Sequence, residues 1–361
     1  DPTESRGLGD VYKRQLIQGD SNPNPAVSVD LVFLTSRTCR PPCHSLKQEV
    51  HCSIGASCSF PIGLSGCMEG GSVELTLLGI AQDGGFPQVG CLKDCCEYAR
   101  QSPELSKLPV SLGIRGLDGS SHLIEASRMM AGQFDLWNSI GTPEWPPSSV
   151  SLTHAHLGHT DGLGLFGREV MGSSGIILHC SPSMGILLDS TPSWSIMIEQ
   201  GVIIPNYWAP LEPFEPTLGC GFTLTAIPVP HRSELSDNHA LIIRGNKRSL
   251  LFMPDQDSWR ETLGEELEIL DWLEGLEVDI ALIDGTFWNY DEISSRDVSE
   301  IPHPTVTETL GLLGNRKQGD PEISFIHFNH TNPLLRKGSI ESRFLLEAGW
   351  GISKQGAVYH L

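Results

Sequence analysis

Three histidines stand within six residues in the run Thr153-His154-Ala155-His156-Leu157-Gly158-His159-Thr160-Asp161-Gly162. Neutral imidazole offers a nitrogen lone pair near neutral pH, which makes His the commonest metal ligand. His154 and His156 leave the same side of an extended segment, because side chains alternate along a strand. His159 can reach back to the same place from the start of a following helix. The bland alternative is a solvated His-rich loop, but the cluster closes a short apolar run, 150–153, and three imidazoles are expensive there as core packing.

A second cluster has different chemistry. Gly84-Gly85-Phe86-Pro87-Gln88-Val89-Gly90-Cys91 is followed by Cys95 and Cys96. In an intracellular protein, clustered Cys read better as metal ligands than as disulfides. Three thiolates and one imidazole make a closed tetrahedral zinc site, which fixes structure without doing chemistry. The fourth ligand has to come from elsewhere in the chain.

Both clusters need elements to hold them. Strands are expected at 73–78, 150–153, 176–179, 222–229, 240–244, 249–253, 279–283 and 323–328, with 112–114 and 122–126 paired across Asp118-Gly119. Helices are expected at about 182–189, 261–274, 304–314 and 336–347, with Ser181-Pro182 and His303-Pro304 at two of the starts. Strands arrive both as neighbours and separated by helices, so the pattern favours two layers of mixed sheet with helices outside. The Pro-rich stretch 190–219 holds Trp194, Trp208 and Phe214 and reads either as a lid or as core aromatic packing.

The His run resembles the H-x-H-x-D-H-x-x-G motif of the metallo-β-lactamase superfamily in His154, His156, His159 and Gly162. That resemblance implies an α/β fold, an αββα sandwich of two mixed β-sheets with outer helices. Gly158 stands where the motif has the Asp that serves a second metal. Asp161 is a nearby carboxylate that either substitutes for it or caps the following turn. The resemblance also implies that His231, in Pro228-Val229-Pro230-His231, is the next ligand, Asp255 the bridging acid and His327 the final His. His154, His156 and His231 then form a three-histidine set suited to activating water. His159, Asp255 and His327 form a poorer second site.

Three further stretches narrow the likeness. The Gly-Gly-Phe-Pro-Gln run with its Cys, Asp284-Gly285-Thr286-Phe287-Trp288 with Glu292, and Thr331-Asn332-Pro333 resemble the coenzyme PQQ biosynthesis protein B family over residues 73–361. Cys91 and Cys96 fit the outer positions of that family's C-x-C-x2-C, and the middle one has moved to Cys95. In a related branch, the cyclic phosphodiesterase of phosphonate breakdown, a His three residues after the last active-site ligand completes the structural zinc, which implies His330 here. Biosynthesis protein B members lack the His-x-His pair that this chain has in His154 and His156, and that points to the hydrolytic branches. His303 resembles the leaving-group His of the superfamily's tRNA-processing members and is expected to act as general acid, or else simply to start a helix. Asp284 either orients His303 or ends a strand.

The expected function is a metal-dependent hydrolase acting on a small ester, lactone or cyclic phosphodiester. Its expected cofactors are Zn2+, one structural and one or two catalytic, with Mn2+ or Fe2+ as alternatives in the active site. Two other readings are a non-haem iron oxygenase related to PQQ biosynthesis and a non-catalytic metal-binding protein.

Composition bounds these readings. The chain has 361 residues, 24 Lys plus Arg against 44 Asp plus Glu, and a formal charge of −20. Such a balance argues against a broad basic surface for nucleic acid, while leaving room for a local basic pocket. No apolar run reaches membrane-spanning length and no secretory pattern opens the chain, so a cytoplasmic protein with a small-molecule substrate is expected, and a homodimer is allowed for. Residues 1–67 hold five of the ten Cys and equal numbers of acids and bases, so the net charge belongs to 68–361. The opening run SRGLGDVYKRQ resembles sequencing-adapter read-through. Residues 1–15 are therefore read as such a scar, 1–67 as a leader, and 68–361 as one domain beginning at Met68. For Cys39, Cys43, Cys52 and Cys58 a small zinc or disulfide module is the competing reading.

Overall fold

Aliphatic and β-branched runs bounded by Gly, Pro and Asp become strands in the computed structural model, which describes residues 71–361 except 142, 265–266 and 294–300. The expected leader and its Cys lie outside the described residues. In chain order the first elements are β1 (Glu74–Gly79), α1 (Asp94–Arg100), β2 (Ser111–Arg115), β3 (Ser121–Ile124), α2 (Met130–Ile140), β4 (Ser149–Ser151) and α3 (Leu157–Thr160). Next come β5 (Ile176–Cys180), α4 (Pro182–Ser190), α5 (Pro192–Glu199), β6 (Ile203–Tyr207), β7 (Pro213–Phe214), β8 (Thr223–Pro228), β9 (His239–Arg244) and β10 (Ser249–Met253). The last are α6 (Trp259–Leu263), α7 (Ile269–Gly275), β11 (Ile280–Asp284), α8 (Val306–Leu313), β12 (Glu322–Ile326), α9 (Ile340–Glu347), β13 (Gly351–Ile352) and β14 (Val358–His360).

The strands form two seven-stranded sheets, ordered β14-β1-β2-β3-β4-β5-β6 and β13-β12-β11-β10-β9-β8-β7. Each is mixed. β14, β1, β2 and β3 pair antiparallel, and β3 through β6 pair parallel. β7 through β10 pair antiparallel, and β10 through β13 pair parallel. One apolar core joins the sheets, with Leu75, Leu77, Leu112 and Ile114 of the first packed with residues such as Leu241 and Phe252 of the second. A second core packs Leu123, Val150 and Leu178 against Trp137 of α2 and Met184 and Leu188 of α4. The result is the αββα sandwich with outer helices. No helix among the described residues is long and apolar enough to cross a membrane.

Three local expectations change. The stretch 190–219 is neither lid nor loop: it forms α5, edge strand β6 and edge strand β7. Trp208 is buried and stacks on Phe214 at 6.2 Å between centroids, and Trp194 packs on the second core, so the aromatic-packing reading holds. The single helix expected at 261–274 is two short ones, α6 and α7. The helix expected from His303-Pro304 begins at Val306, where Thr305 and Glu308 close a capping box. His303 is therefore free of any capping duty.

The topology gathers the chemistry at one edge. The C-terminal ends of β1, β3 and β4 lie together in the first sheet, as do those of β10, β11 and β12 in the second. Beyond β1 and β12 the chain continues to pair across the sandwich. The Gln82 amide donates to the Phe328 carbonyl (2.9 Å) and the Phe328 amide to the Ile80 carbonyl (2.9 Å). This pairing brings the residues after β1 alongside His327.

Candidate metal centre

His154 and His156 follow β4 in extended backbone, and their donor atoms meet: His154 Nε2 lies 2.9 Å from His156 Nδ1. His231, near the start of the loop between β8 and β9, joins them, so that one nitrogen of each falls within 4.8 Å of the others. Asp255, after β10, is buried and central. Its carboxylate is 3.6 Å from His231 Nε2, 3.3 Å from His159 Nε2 and 3.6 Å from His327 Nδ1. His159 occupies α3, as its spacing from His156 requires, and His327 follows β12. All six expected active-site ligands therefore come together.

Supporting groups fix the imidazoles from behind. His154 Nδ1 faces Thr153 Oγ1 at 2.9 Å, and His231 Nδ1 donates to Asp257 Oδ1 at 3.1 Å. His327 Nδ1 faces Thr286 Oγ1 at 3.0 Å, and that hydroxyl donates to Asp284. His159 Nδ1 faces the fully buried Glu125 at 3.5 Å. Such partners orient a ligating His and raise its basicity. Glu125 and His327 both have positive φ, 67° and 61°, at the ends of β3 and β12. A non-glycine residue there is strained by roughly 1–3 kcal/mol, and such strain clusters where function aims a side chain.

The donor set fits a divalent cation. His231 Nε2, Asp255 Oδ2 and His327 Nε2 are buried and have no hydrogen-bond partner. Buried polar atoms are rarely left so, and an ion is one standard reason. The separations of 3.3–3.6 Å between the Asp255 carboxylate and His159, His231 and His327 also agree, since ligands bound at 2.0–2.2 Å in a tetrahedron stand roughly 3.3–3.6 Å apart. Electrostatics points the same way. Burial lowers the pKa of His154 and His156 and takes His231 down to about 4, keeping these imidazoles neutral and able to ligate. Burial works against a charged Asp255, yet His327, His159, His154 and His231 outweigh it and hold the carboxyl below the usual range. For His159 burial is likewise outweighed, by Glu125, Asp255 and Asp83, and the net shift is upward.

Asp83 was not foreseen. It lies in the loop after β1, in the Gln82-Asp83-Gly84-Gly85 run, and its Oδ1 is 3.5 Å from His159 Nε2 and 3.6 Å from His327 Nε2. Against the cost of burial, these two imidazoles hold its carboxyl well below the usual range. The only sequence trace of this arrangement is a glycine at position 158. Asp161 takes no part: its carboxylate pairs with Arg128 at 2.8 Å, at the head of the turn it begins.

His303 and Asp284 meet beside the centre. His303 Nδ1 is 2.7 Å from Asp284 Oδ2, and both are buried. Burial disfavours the charged imidazole, but Asp284 outweighs it and raises the His303 pKa. The His303 ring stands 5.3 Å from that of His231. Asp284 also ends β11 and accepts from the Gln256 and Thr286 amides, so its two expected roles coexist. The Thr331-Asn332-Pro333 run is its structural complement: Asn332 Nδ2 donates to the Gly285 carbonyl at 2.8 Å.

The sulfur cluster assembles as well. Cys95 and Cys96 open α1, Cys91 precedes it, and His330 follows β12 three residues after His327. Cys95 and Cys96 Sγ each lie 3.4 Å from His330 Nδ1, and Cys91 Sγ is 3.9 Å from Cys95 Sγ. Adjacent Cys95 and Cys96 both face inward, and the Gln88 amide donates to Cys96 Sγ at 3.2 Å. Burial and the neighbouring thiols push Cys96 up to about 12, so ionising the group calls for a cation. Between the two clusters lies a cavity of about 510 Å³ whose lining includes Asp83, Arg128, Arg232, Lys93, Phe287 and His330.

The profile of the Beta-lactamase superfamily domain matches residues 123–328. The coenzyme PQQ synthesis protein B of Methylococcus capsulatus is 25% identical, over 78% of this chain and 98% of its own length. Its counterpart from Klebsiella pneumoniae is 26% identical, over 78% and 96%. Among solved structures, Zn(2+)-bound PqqB from Methylobacterium extorquens has a TM-score of 0.64 at 21% identity, covering 80% of this chain and all of that one. A diphosphatase from the PhnP family has a TM-score of 0.55 at 19% identity, covering 80% and 97%.

Proposed function

Because the chain belongs to the beta-lactamase superfamily, we propose that it is a metal-dependent hydrolase of a small ester, lactone or cyclic phosphodiester. The observation that carries this reading is the meeting of the donor atoms of His154, His156 and His231, with His231 Nε2 and Asp255 Oδ2 buried and unpartnered beside them. His154, His156 and His231 would hold one ion, Asp255 would reach it from the centre, and Cys91, Cys95, Cys96 and His330 would hold a separate structural zinc. A divalent metal supplies Lewis acidity there and, through it, a water acidic enough to attack at neutral pH.

The chain's own groups do the rest. Asp255 orients the attacking water by accepting a hydrogen bond from its O–H. His303, whose charged form Asp284 favours, donates a proton to the departing oxygen. Asp257 and Thr153 hold His231 and His154 in the tautomers that present a lone pair inward. Arg232 and Lys93 on the cavity wall, beside an Arg128 already paired with Asp161, offer cations to a substrate carrying a phosphate or carboxylate. The same wall also carries Asp83 and Glu292, so these cations support a local anion contact within an acidic protein. The zinc in PqqB supports zinc as the metal here. A cytoplasmic location fits the reduced thiols the sulfur cluster needs.

The test is metal content and turnover on the full chain. Purified protein is expected to carry zinc beyond the structural equivalent and to hydrolyse at least one ester, lactone or phosphodiester of a panel. A protein holding only the structural ion, inert with every metal supplied, would sink the proposal. Retained iron with substrate-dependent oxygen uptake would replace it with the oxygenase reading.

A further inference from the structure

Gly158 is the second residue of α3, where glycine is a poorer helix former than alanine. Its backbone is not in the left-handed region, so no conformational demand explains it. Space does. A Cβ built at 158 would lie 2.1 Å from Asp83 Cγ and 2.1 Å from Asp83 Oδ1. The carboxylate of Asp83 thus fills the volume that a side chain at 158 would enter. It arrives there from the opposite direction, on the loop after β1, and that loop is pinned to the other sheet by the Gln82–Phe328 and Phe328–Ile80 hydrogen bonds.

We propose that Asp83 is a metal ligand of this centre, replacing across space the carboxylate that the helix lacks at position 158. Together with His159, His327 and Asp255 it completes a second cation site beside the three-histidine site. Three contacts and one unpartnered nitrogen define it. Asp83 Oδ1 stands 3.5 Å from His159 Nε2 and 3.6 Å from His327 Nε2. Asp255 Oδ2 stands 3.3 Å from His159 Nε2, and His327 Nε2 has no hydrogen-bond partner. These separations are those of ligands around one ion with bonds of about 2.0–2.2 Å. Asp83 also lines the cavity, so an ion held there would be open to substrate. A loop-borne ligand, unlike one on α3, ties the metal to the Gly84–Cys96 segment and through it to the sulfur cluster.

The inference rests on the hydrolase reading for its use but not for its test, which counts metal. The full chain, stripped with chelator and equilibrated with Zn2+ buffers, is expected to bind three Zn2+ per chain. Asp83→Asn, which keeps shape and loses charge, is expected to retain two and bind the third at least 10-fold more weakly. Gly158→Asp alone crowds two carboxylates into one volume and is expected to bind the third ion worse than the wild type. The double exchange, Asp83→Gly with Gly158→Asp, is expected to recover the third zinc. An unchanged third zinc in Asp83→Asn, or only two in the wild type, would overturn the proposal. Three zinc ions with no hydrolysis on any substrate would leave Asp83 a ligand and remove the hydrolase reading instead.

Discussion

Replacing His303 by Asn separates proton donation from metal action. Asn keeps a donor near the position of Nδ1 for Asp284 while removing the imidazole. The structure sets the size of the effect. A buried pair with 2.7 Å between Nδ1 and Oδ2 attracts by at least about 4 kcal/mol at an effective dielectric near 20. That attraction outweighs burial and raises the His303 pKa above its ordinary value, which favours the protonated imidazole. A positioned general acid contributes about 10²–10⁴-fold, or roughly 3–5 kcal/mol of barrier. For an alkyl ester or diester His303→Asn is therefore expected to lower kcat by about 10²-fold or more. For a 4-nitrophenyl ester, whose leaving group departs without a proton, the loss is expected to stay below about 10-fold. The wild-type kcat should fall on the alkaline side with an apparent pKa above the ordinary histidine value, and Asp284→Asn should move that limb downward. Equal losses on both substrates, or an alkaline limb indifferent to Asp284, would refute the role of His303.

Three other outcomes follow from the same geometry. Cys91→Ala opens the sulfur cluster, whose zinc at 100 times its Kd is worth about 2.7 kcal/mol of folding, so the melting temperature should drop by about 5 °C; an unchanged melting curve would mean that no ion is held there. Asp257→Ala removes the acceptor behind His231 Nδ1 and should weaken the ion on His154, His156 and His231 by about 10–100-fold, read by zinc competition with a chelator. Burial takes His122 down to about 4, between Ser120 and Ser149. The native state then holds fewer protons than the unfolded chain below pH 6.5, so about 3 kcal/mol of stability, complete above pH 6.5, is lost as pH falls toward 4. His122→Asn should flatten that acid limb in urea titrations, and an unaltered slope would exclude it.

Much of the centre was legible because each candidate ligand sits at or just after a strand end, where apolar runs give way to short polar loops. His154, His156, His231, Asp255 and His327 each close such a run, and strand order alone brings them to one edge. Asp83 was not legible, since its partners are separated from it by 76 and 244 positions in sequence and only the pairing beyond β1 and β12 joins them. Gly158 was its one trace: a missing side chain inside a ligand motif marks volume taken by something else. Pro misled elsewhere. Pro192 sits at the first turn of α5, where no amide is needed, and Pro205 and Pro213 lie on edge strands, the places where a sheet tolerates proline. Pro304 left a helix start open as the alternative role of His303, whereas Thr305 caps α8 and His303 pairs with Asp284. The expected lid dissolved for the same reason, its aromatics being packing partners of β6 and β7.

The central claim is that an ion on His154, His156 and His231 drives hydrolysis. Its most direct test is turnover of a cyclic phosphodiester by chelator-stripped full-length chain as Zn2+ is restored, beside His154→Ala at equal loading of the sulfur cluster. Activity should return with the zinc that the wild type binds beyond the structural ion, and His154→Ala should stay at least about 10³-fold lower while keeping its fold. Equal turnover by His154→Ala, or hydrolysis that survives removal of that zinc, would contradict the account.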